Sequence, residues 1–195
     1  MNLNNAVNFL NWNARSLKAK EDEFFNFLTV HGVHIAVVTE TLLKPNIKLK
    51  RNPNYIVHRF DRIDVAGGGV AIVIHRRIKH RVMPHLETKV IESLGIVIET
   101  DIGILFIAAV YLPFQCTGEQ KNQFKEDLQK LTRDKSKFFI IGDFNAKHRS
   151  WNNAQSNSNG KILFNDSRLD FIQFCFQMVQ HVSLLLGIHP QLIWY

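Results

Sequence analysis

The sequence has few of the residues on which small secreted domains and metal-binding modules depend. It contains only two cysteines, Cys116 and Cys175, and their spacing fits neither a metal-binding motif nor a disulfide framework. Residues 1–10 have no basic region followed by an apolar run, which excludes a signal peptide there. These absences predict a protein of a reducing, intracellular compartment.

Long apolar runs are also missing. The most apolar segment, residues 169–188, is interrupted by five polar side chains, so we predict no membrane-spanning helix and no membrane partner. The 195 residues contain no internal repeat and no interdomain linker, and 46% of them are hydrophobic. That length and composition predict one globular domain with a substantial core.

Acidic residues are scarce relative to basic ones, and the excess is local. The chain carries a formal net charge of +7. The stretch Lys44–Lys89 holds eleven Lys and Arg against three acids, or +8, which leaves about −1 for the remainder. A basic face suits a polyanion, because each neutralised phosphate releases a counterion. We therefore predict nucleic-acid binding through this stretch, with a merely soluble basic surface as the alternative.

Apolar runs and helical periodicity alternate along the chain, which predicts an α/β fold. One helix is predicted at Leu17–His31 with Ser16 as its N-cap, and a second after the Thr117–Gln120 capping box. Gly67–Gly69 lacks the Lys-Ser/Thr of a phosphate-binding loop and predicts a turn with close packing. Strands are predicted at Val7–Trp12, Val33–Thr39, Tyr55–Phe60, Val70–His75, Val90–Thr100, Ile104–Tyr111 and residues 138–141.

The most informative stretch is Lys137–Trp151, KFFIIGDFNAKHRSW. Its apolar run predicts a buried strand that ends at Gly142, after which Asp143 and Asn145 follow two residues apart. Side chains at that spacing point the same way in an extended segment. A carboxylate there can bind a metal or take a proton, and an amide can donate to a phosphate oxygen. A capping Asp and a turn Asn are the alternative interpretation.

Polar side chains end four of the predicted strands: Asn13, Glu40, Tyr111 and Asp143. In layered α/β proteins, functional sites gather where strands end. The sequence therefore predicts that these four side chains converge at one end of the fold.

Six segments then occur in an order that resembles a known family: WNARSL, TETLL, GGGVAIVI, ETKVIESLGI, AVYLP and GDFNAKHRSWN. They resemble the endonuclease/exonuclease/phosphatase family, and within it the endonuclease domains of non-LTR, LINE-type, jockey-like retrotransposons. The resemblance extends from Val7 to Gly160. It implies a two-sheet α/β sandwich and metal-dependent phosphodiester cleavage.

The resemblance also implies roles for individual residues. Glu40 matches the metal-binding glutamate, and Asn13 matches an asparagine near the metal and phosphate. Tyr111 and Asn145 match residues that contact the scissile phosphate, and Asp143 matches the aspartate that orients or deprotonates the attacking water. The expected cofactor is Mg²⁺, with Mn²⁺ as a second candidate, since these cations prefer carboxylate and water oxygens.

Residues around these positions are candidates for contacting DNA. His148 is not the family's catalytic histidine, which lies later in an S-D-H motif, and loop packing is the alternative for His148 and Trp151. The candidate DNA contacts are Arg15, Arg62, Lys147, His148, Arg149 and Trp151.

From about Phe174 the sequence resembles nothing in the family. We assign residues 1–173 to the family-like domain and 174–195 to a tail outside it. The family's S-x-I-D and S-D-H segments are absent from the sequence. Reading the tail's codons from their third base permits a peptide containing S-T-I-D-L. This predicts a frameshift near Phe174 and a sandwich incomplete at its C-terminus; coding DNA that excludes this peptide would contradict the hypothesis.

The expected function is that of a DNA-nicking endonuclease domain from a retrotransposon polyprotein with a reverse transcriptase domain. The parent element would act in the nucleus. Without S-D-H, this polypeptide is expected to be a truncated copy with negligible nicking activity. A non-catalytic nucleic-acid-binding remnant or pseudogene product is the first alternative. A phosphatase of the same superfamily is the second.

Overall fold

The computed structural model describes residues 7–63, 66–101, 103–166 and 180–184. Three α-helices are present in this part: α1 (Glu21–Val30), α2 (Gln120–Thr132) and α3 (Ser158–Phe164). Short 3-10 helices cover Lys18–Lys20 and Arg149–Trp151. The strands are β1 (Val7–Asn13), β2 (Ile35–Thr39), β3 (Tyr55–Phe60), β4 (Val70–His75), β5 (His80–Val82), β6 (Glu92–Thr100), β7 (Gly103–Tyr111), β8 (Phe138–Asp143) and β9 (Gln180–Leu184).

The first sheet has the strand order β3-β4-β2-β1-β9. Strands β1 and β2 are parallel, with Asn13 opposite Thr39. Strand β4 is antiparallel to β2, and β9 is antiparallel to β1. The carboxyl ends of β1 and β2 therefore lie side by side at one edge of this sheet.

The second sheet has the order β5-β6-β7-β8. Strands β6 and β7 are antiparallel, and Glu92 lies opposite Tyr111. Strands β7 and β8 are parallel, and Tyr111 lies opposite Asp143. The second sheet thus also places two strand ends side by side.

The main core lies between the two sheets and contains buried aliphatic side chains of both, including Val37, Ile72, Ile96 and Ile107. Helix α2 packs on the outer face of the second sheet through Phe124, Leu128 and Leu131, and α1 packs on the outer face of the first. Two sheets with helices outside them form an α/β sandwich, which confirms the predicted fold class. Burial of this apolar surface is the main stabilising contribution to such a fold.

The predicted N-cap at Ser16 is wrong. Ser16 has a φ of +92°, the 3-10 helix begins after Leu17, and α1 begins only at Glu21. The reason is that the Ser16 and Leu17 amides donate to the carbonyl oxygens of Glu40 and Thr41 at 3.0 and 2.9 Å. The chain after β1 is therefore held against the chain after β2 before any helix can start.

The capping box before α2 forms only in part. The Gln120 side chain accepts from the Thr117 amide at 3.1 Å, but Thr117 makes no side-chain cap to the helix. The glycine run behaves as predicted, because Gly67, Gly68 and Gly69 all have positive φ. A Cβ at Gly69 would lie 2.4 Å from Thr41 Oγ1, so the turn also requires close packing.

Several predictions fall wholly or partly outside the described residues. Cys175 and all of the tail 174–195 except β9 lie there, so the domain boundary at 173 stays a prediction. Within the described part, Cys116 is a free, buried thiol. No helix of that part combines the length and apolarity that crossing a membrane would require.

Candidate active site

Four side chains meet at the shared edge of the two sheets. The Asn13 amide nitrogen donates to Glu40 Oε1 at 2.8 Å and to Asp143 Oδ2 at 3.0 Å. The Tyr111 hydroxyl donates to the same Glu40 Oε1 at 3.0 Å. One neutral amide therefore bridges two carboxylates, one supplied by each sheet.

Strand register explains this convergence. Asn13 ends β1, and Glu40 immediately follows β2, which is parallel to β1. Tyr111 and Asp143 end the parallel strands β7 and β8 directly opposite each other. Across the sheets, the Asn11 side chain donates to the Gly142 carbonyl oxygen at 3.2 Å. The structure thus brings together the four strand-end residues that the sequence singled out.

The backbone at Glu40 is in the left-handed region, with a φ of +49°. Such a conformation is uncommon for a residue other than glycine and costs on the order of 1 kcal/mol. It is maintained by neighbouring bonds, since Thr41 and Leu42 donate to the carbonyl oxygens of Gly69 and Gly68 at 3.2 and 3.0 Å. The glycine run therefore holds the segment that presents the Glu40 carboxylate.

Tyr111 is 6% exposed and is surrounded by acidic groups. Burial raises the pKa of the Tyr111 hydroxyl far above its usual range, and the hydrogen bond to Glu40 and the charges of Glu40 and Asp143 raise it further. The phenol therefore stays protonated at neutral pH. It can act as a hydrogen-bond donor to developing negative charge.

Arg62 lies beside this tyrosine. Its guanidinium is 6.0 Å from the centroid of the Tyr111 ring and forms an ion pair with Glu92. Glu92 is the cross-strand neighbour of Tyr111 and also accepts from the Gly69 amide at 2.5 Å. The pair connects the glycine run to the tyrosine, so in this structure the charge of Arg62 is already paired within the protein.

The loop after β8 is shaped by Gly142, Asp143 and Asn145. Gly142 has a φ of +152°, and a Cβ there would lie 1.8 Å from the Val110 carbonyl oxygen, so only glycine allows this approach. The Asn145 backbone N–H donates to Asp143 Oδ1 at 2.9 Å, and the Asn145 side-chain Nδ2 donates to the Leu112 carbonyl oxygen at 2.8 Å. The backbone bond fixes the Asp143 carboxylate. The second N–H of the exposed Asn145 side chain remains for a ligand.

Sequence reasoning missed Asn159, which it left in a polar loop. Asn159 is 0% exposed and accepts from the Cys116 amide at 2.8 Å. Its side-chain nitrogen donates to the carbonyl oxygens of Phe114 and Phe144, both at 2.9 Å. The residue therefore ties the loop after Tyr111 to the loop after Asp143.

Asn157 was missed as well, and it supports the same region. It accepts from the Lys147 amide at 3.0 Å and donates to the Asn145 carbonyl oxygen at 2.7 Å. It also caps α3 through the Gly160 amide. Asn157 precedes the short apolar run Ile162–Phe164 by five residues, and Asn is a preferred N-cap residue, whereas no local signal distinguishes Asn159.

Five of the six predicted DNA contacts divide into two groups. Arg15, Lys147 and Arg149 are exposed on the segments that follow Asn13 and Asp143. The His148 ring instead stacks on Phe164, with centroids 4.0 Å apart, and lies 5.2 Å from Trp151. This is the packing arrangement that was the alternative for His148 and Trp151; their contact with DNA stays a prediction.

The basic stretch Lys44–Lys89 does not form one surface beside these residues. Thr39 pairs with Val70 and Ile35 with Ile74, so β4 runs away from the edge that carries Glu40. The basic residues directly after β4, Arg76, Arg77 and Lys79, consequently lie at the opposite end of the sandwich, whereas β5 and the segment before β6 lead back toward the end that carries Tyr111. Other basic residues of the stretch form ion pairs within the protein: Lys50 pairs with Asp22, and Lys89 pairs with Glu126.

The Glu40 carboxylate is the group of this site that can bind a divalent cation. No group of three or more His, Cys, Asp or Glu side chains in the described residues is arranged to hold a metal ion. Both hydrogen bonds to Glu40 end on Oε1, which leaves Oε2 for a cation. Mg²⁺ typically takes one or two carboxylates and completes its shell with water and phosphate oxygens. The residues present fit that mode of binding.

Comparison with known proteins places this arrangement in context. The chain is 31% identical over 155 residues to the RNA-directed DNA polymerase from mobile element jockey of Drosophila melanogaster, covering 78% of this chain and 16% of the relative. It is 28% identical over 165 residues to the probable RNA-directed DNA polymerase from transposon X-element of the same species, covering 82% and 17%. The chain thus spans about a sixth of the length of the curated relatives it matches.

Solved structures share the fold. The endonuclease domain of TRAS1, a telomere-specific non-LTR retrotransposon, superposes with a TM-score of 0.59 at 18% identity, over 81% of this chain and 68% of that one. The AP endonuclease LMAP from Leishmania major gives 0.59 at 15% identity, over 78% and 59%. Residues 10–186 match the sequence model of the Endonuclease/Exonuclease/phosphatase family, and the chain belongs to that family.

Proposed function

We propose that this chain is the DNA-nicking endonuclease domain of a non-LTR retrotransposon polyprotein. The observation that carries the proposal is the Asn13 amide that joins the Glu40 and Asp143 carboxylates across the two sheets. The similarity to jockey supports the same origin. In the full-length element the partner would be a reverse transcriptase domain, and the substrate would be nuclear DNA.

Each residue then has a role that follows from its chemistry. Glu40, assisted by Asn13, would hold Mg²⁺ or Mn²⁺, which supplies charge neutralisation at the scissile phosphate. Asp143 orients the attacking water and accepts its proton, since Asn13 and the Asn145 amide fix its carboxylate. Asn145 donates a hydrogen bond to a phosphate oxygen. Tyr111, whose single O–H points to Glu40 in this structure, would turn that O–H toward a phosphate oxygen once a cation takes up the Glu40 carboxylate, and its raised pKa keeps the phenol protonated.

A non-catalytic nucleic-acid-binding domain is the second candidate. It is a candidate for the 195-residue polypeptide itself, whose residues contain no S-D-H motif. In the family that histidine contacts the scissile phosphate and stabilises its charge, and losing one such contact lowers the rate by about a hundred- to a thousandfold.

A plasmid assay tests both candidates. Supercoiled DNA would be incubated with MgCl₂ or with EDTA, using the 195-residue chain and a version continued in frame through S-T-I-D and S-D-H. We expect the continued version to nick with Mg²⁺ and the 195-residue chain to nick very slowly. A continued version that folds and binds DNA but never nicks would contradict the endonuclease proposal.

DNA affinity is expected to depend on Lys147 and Arg149 and to fall steeply with salt. Each lost phosphate contact should reduce the slope of log K against log salt by about 0.9. Fluorescence anisotropy at low to moderate salt would measure the DNA affinity of Lys147→Ala and Arg149→Ala. The matched control is Lys79→Ala, because Lys79 is exposed on the connection between β4 and β5 at the opposite end of the sandwich. An equal loss of DNA affinity in Lys79→Ala would indicate that DNA binds through the basic stretch Lys44–Lys89 instead.

Arg62 is expected to position Tyr111 instead of contacting DNA. Arg62→Met should slow nicking by the continued version about ten- to a hundredfold, the range observed when a residue supporting a site is removed. The salt slope of DNA binding should stay unchanged, because Glu92 already pairs with Arg62. Glu92→Gln should slow nicking to a similar degree. Tighter DNA binding by Glu92→Gln, with a smaller salt slope for Arg62→Met, would instead identify Arg62 as a phosphate contact.

A further inference from the structure

Two histidines face each other at an edge of the sandwich away from the candidate active site. His58 lies on β3, an edge strand of the first sheet, and His80 lies on β5, an edge strand of the second sheet. Their Nε2 atoms are 2.7 Å apart, and their ring planes are inclined at 69°. The pair therefore connects the two sheets at a position where no catalytic role has been assigned.

The tautomer of His80 is set by its second nitrogen. His80 Nδ1 lies 2.8 Å from the Ile78 carbonyl oxygen, which can only accept a hydrogen bond. Nδ1 therefore carries the proton, and Nε2 presents a lone pair toward His58. A histidine that donates through one ring nitrogen to a carbonyl and offers the other is the arrangement typical of metal ligands.

The surroundings of His58 favour its neutral imidazole. Strand alternation places His58 on the same face of β3 as Ile56 and Phe60, which pack against the core between the sheets. The neighbouring Arg59 lies on the other face, where its guanidinium donates to the Ile47 carbonyl oxygen at 2.8 Å. Burial, and then the proximity of His80, lower the pKa of His58. Both rings remain partly exposed, so an ion can approach them from solvent.

We propose that His58 and His80 form a binding site for a divalent transition-metal ion of the Zn²⁺, Ni²⁺ or Cu²⁺ type, and that the bound ion links the two sheets. Adjacent ligands with metal–nitrogen bonds of about 2.0–2.1 Å lie roughly 2.9–3.4 Å apart, depending on coordination geometry. The present Nε2–Nε2 distance of 2.7 Å is shorter, so the two rings would move slightly apart when the ion binds. Binding would require His58 to carry its proton on Nδ1, and water would fill the other positions. Imidazole ligands select such ions over Mg²⁺.

Thermal unfolding of the 195-residue protein with the metal alone tests the proposal without any activity measurement. We expect NiCl₂ and ZnCl₂ at about a hundredfold excess over Kd to raise Tm by about 5 °C or more, because the ion binds only the folded chain. MgCl₂ at the same concentration should not reproduce this shift. Calorimetric titration with NiCl₂ should show one such site per chain.

Variants locate the site. His58→Asn and His80→Gln should each abolish the Ni²⁺ shift, and urea unfolding in EDTA would establish that both variants fold. His31→Asn, which changes an exposed histidine after α1, should retain the shift. Glu40→Gln should also retain it, which separates this site from the candidate active site. No shift in the parent protein, or an undiminished shift in folded His58→Asn, would overturn the proposal.

Discussion

Replacing Asp143 with alanine is expected to reduce Mg²⁺-dependent nicking by about a hundred- to a thousandfold in the version continued through S-D-H. The carboxylate accepts from the Asn13 side chain and from the Asn145 amide, so its loss removes both the proton acceptor and two anchored contacts. The rate would be measured as conversion of supercoiled to open-circular plasmid. DNA affinity should not fall, since a negative charge is removed from the surface that meets phosphate.

Two further variants test whether the effect depends on proton acceptance by Asp143. Asp143→Asn keeps an oxygen for the Asn145 amide but cannot accept a proton, so it should be nearly as slow as Asp143→Ala. Glu99→Ala removes an exposed acid from β6 and should leave the rate unchanged. If Asp143→Asn nicks at the parent rate, Asp143 is not the base and its proposed role is wrong.

Asn159→Ala is expected to lower the free energy of unfolding by about 2 kcal/mol or more. Three backbone groups would lose their partner, two of them on buried residues, and each buried group left unpaired costs about 1–3 kcal/mol. These groups are the Cys116 amide and the carbonyl oxygens of Phe114 and Phe144. Urea denaturation followed by circular dichroism would measure the change.

A matched asparagine tests whether the effect is specific. Asn165→Ala removes an exposed asparagine that follows α3 and should change the free energy of unfolding by less than about 0.5 kcal/mol. Asn159→Asp retains the acceptor for Cys116 but turns an oxygen toward two carbonyl oxygens, so it should destabilise the protein at least as much as alanine. A loss below about 1 kcal/mol for Asn159→Ala would mean that these loops are held by other contacts.

The sequence predicted those parts of the fold that depend on local pattern. Apolar runs marked the strands, and the polar residues that end them marked the edge where Glu40 and Asp143 meet. The prediction of Ser16 as a helix N-cap was wrong because of a tertiary contact: its backbone N–H donates to the carbonyl oxygen of Glu40, 24 positions later in the sequence. No window of neighbouring residues contains that information.

The basic stretch and Asn159 illustrate two further limits. Counting charge along Lys44–Lys89 ignores strand direction, and the antiparallel pairing of β4 with β2 places Arg76, Arg77 and Lys79 at the end opposite the candidate active site. Asn159 resembles any polar loop residue until its three partners from two other loops surround it. Residues that act by joining distant segments are therefore the ones that sequence patterns leave hidden.

The bridge from Asn13 to both carboxylates would make the proposed nicking activity depend on how the two sheets are aligned. The sheets pack through aliphatic side chains, and such contacts tolerate small sliding because they have little directionality. Hydrogen bonds at 2.8 and 3.0 Å do not tolerate it, since they weaken steeply with distance and angle. The protein can therefore lose its chemistry while both sheets persist, and nicking rate would report sheet alignment at denaturant concentrations where circular dichroism still records a folded chain.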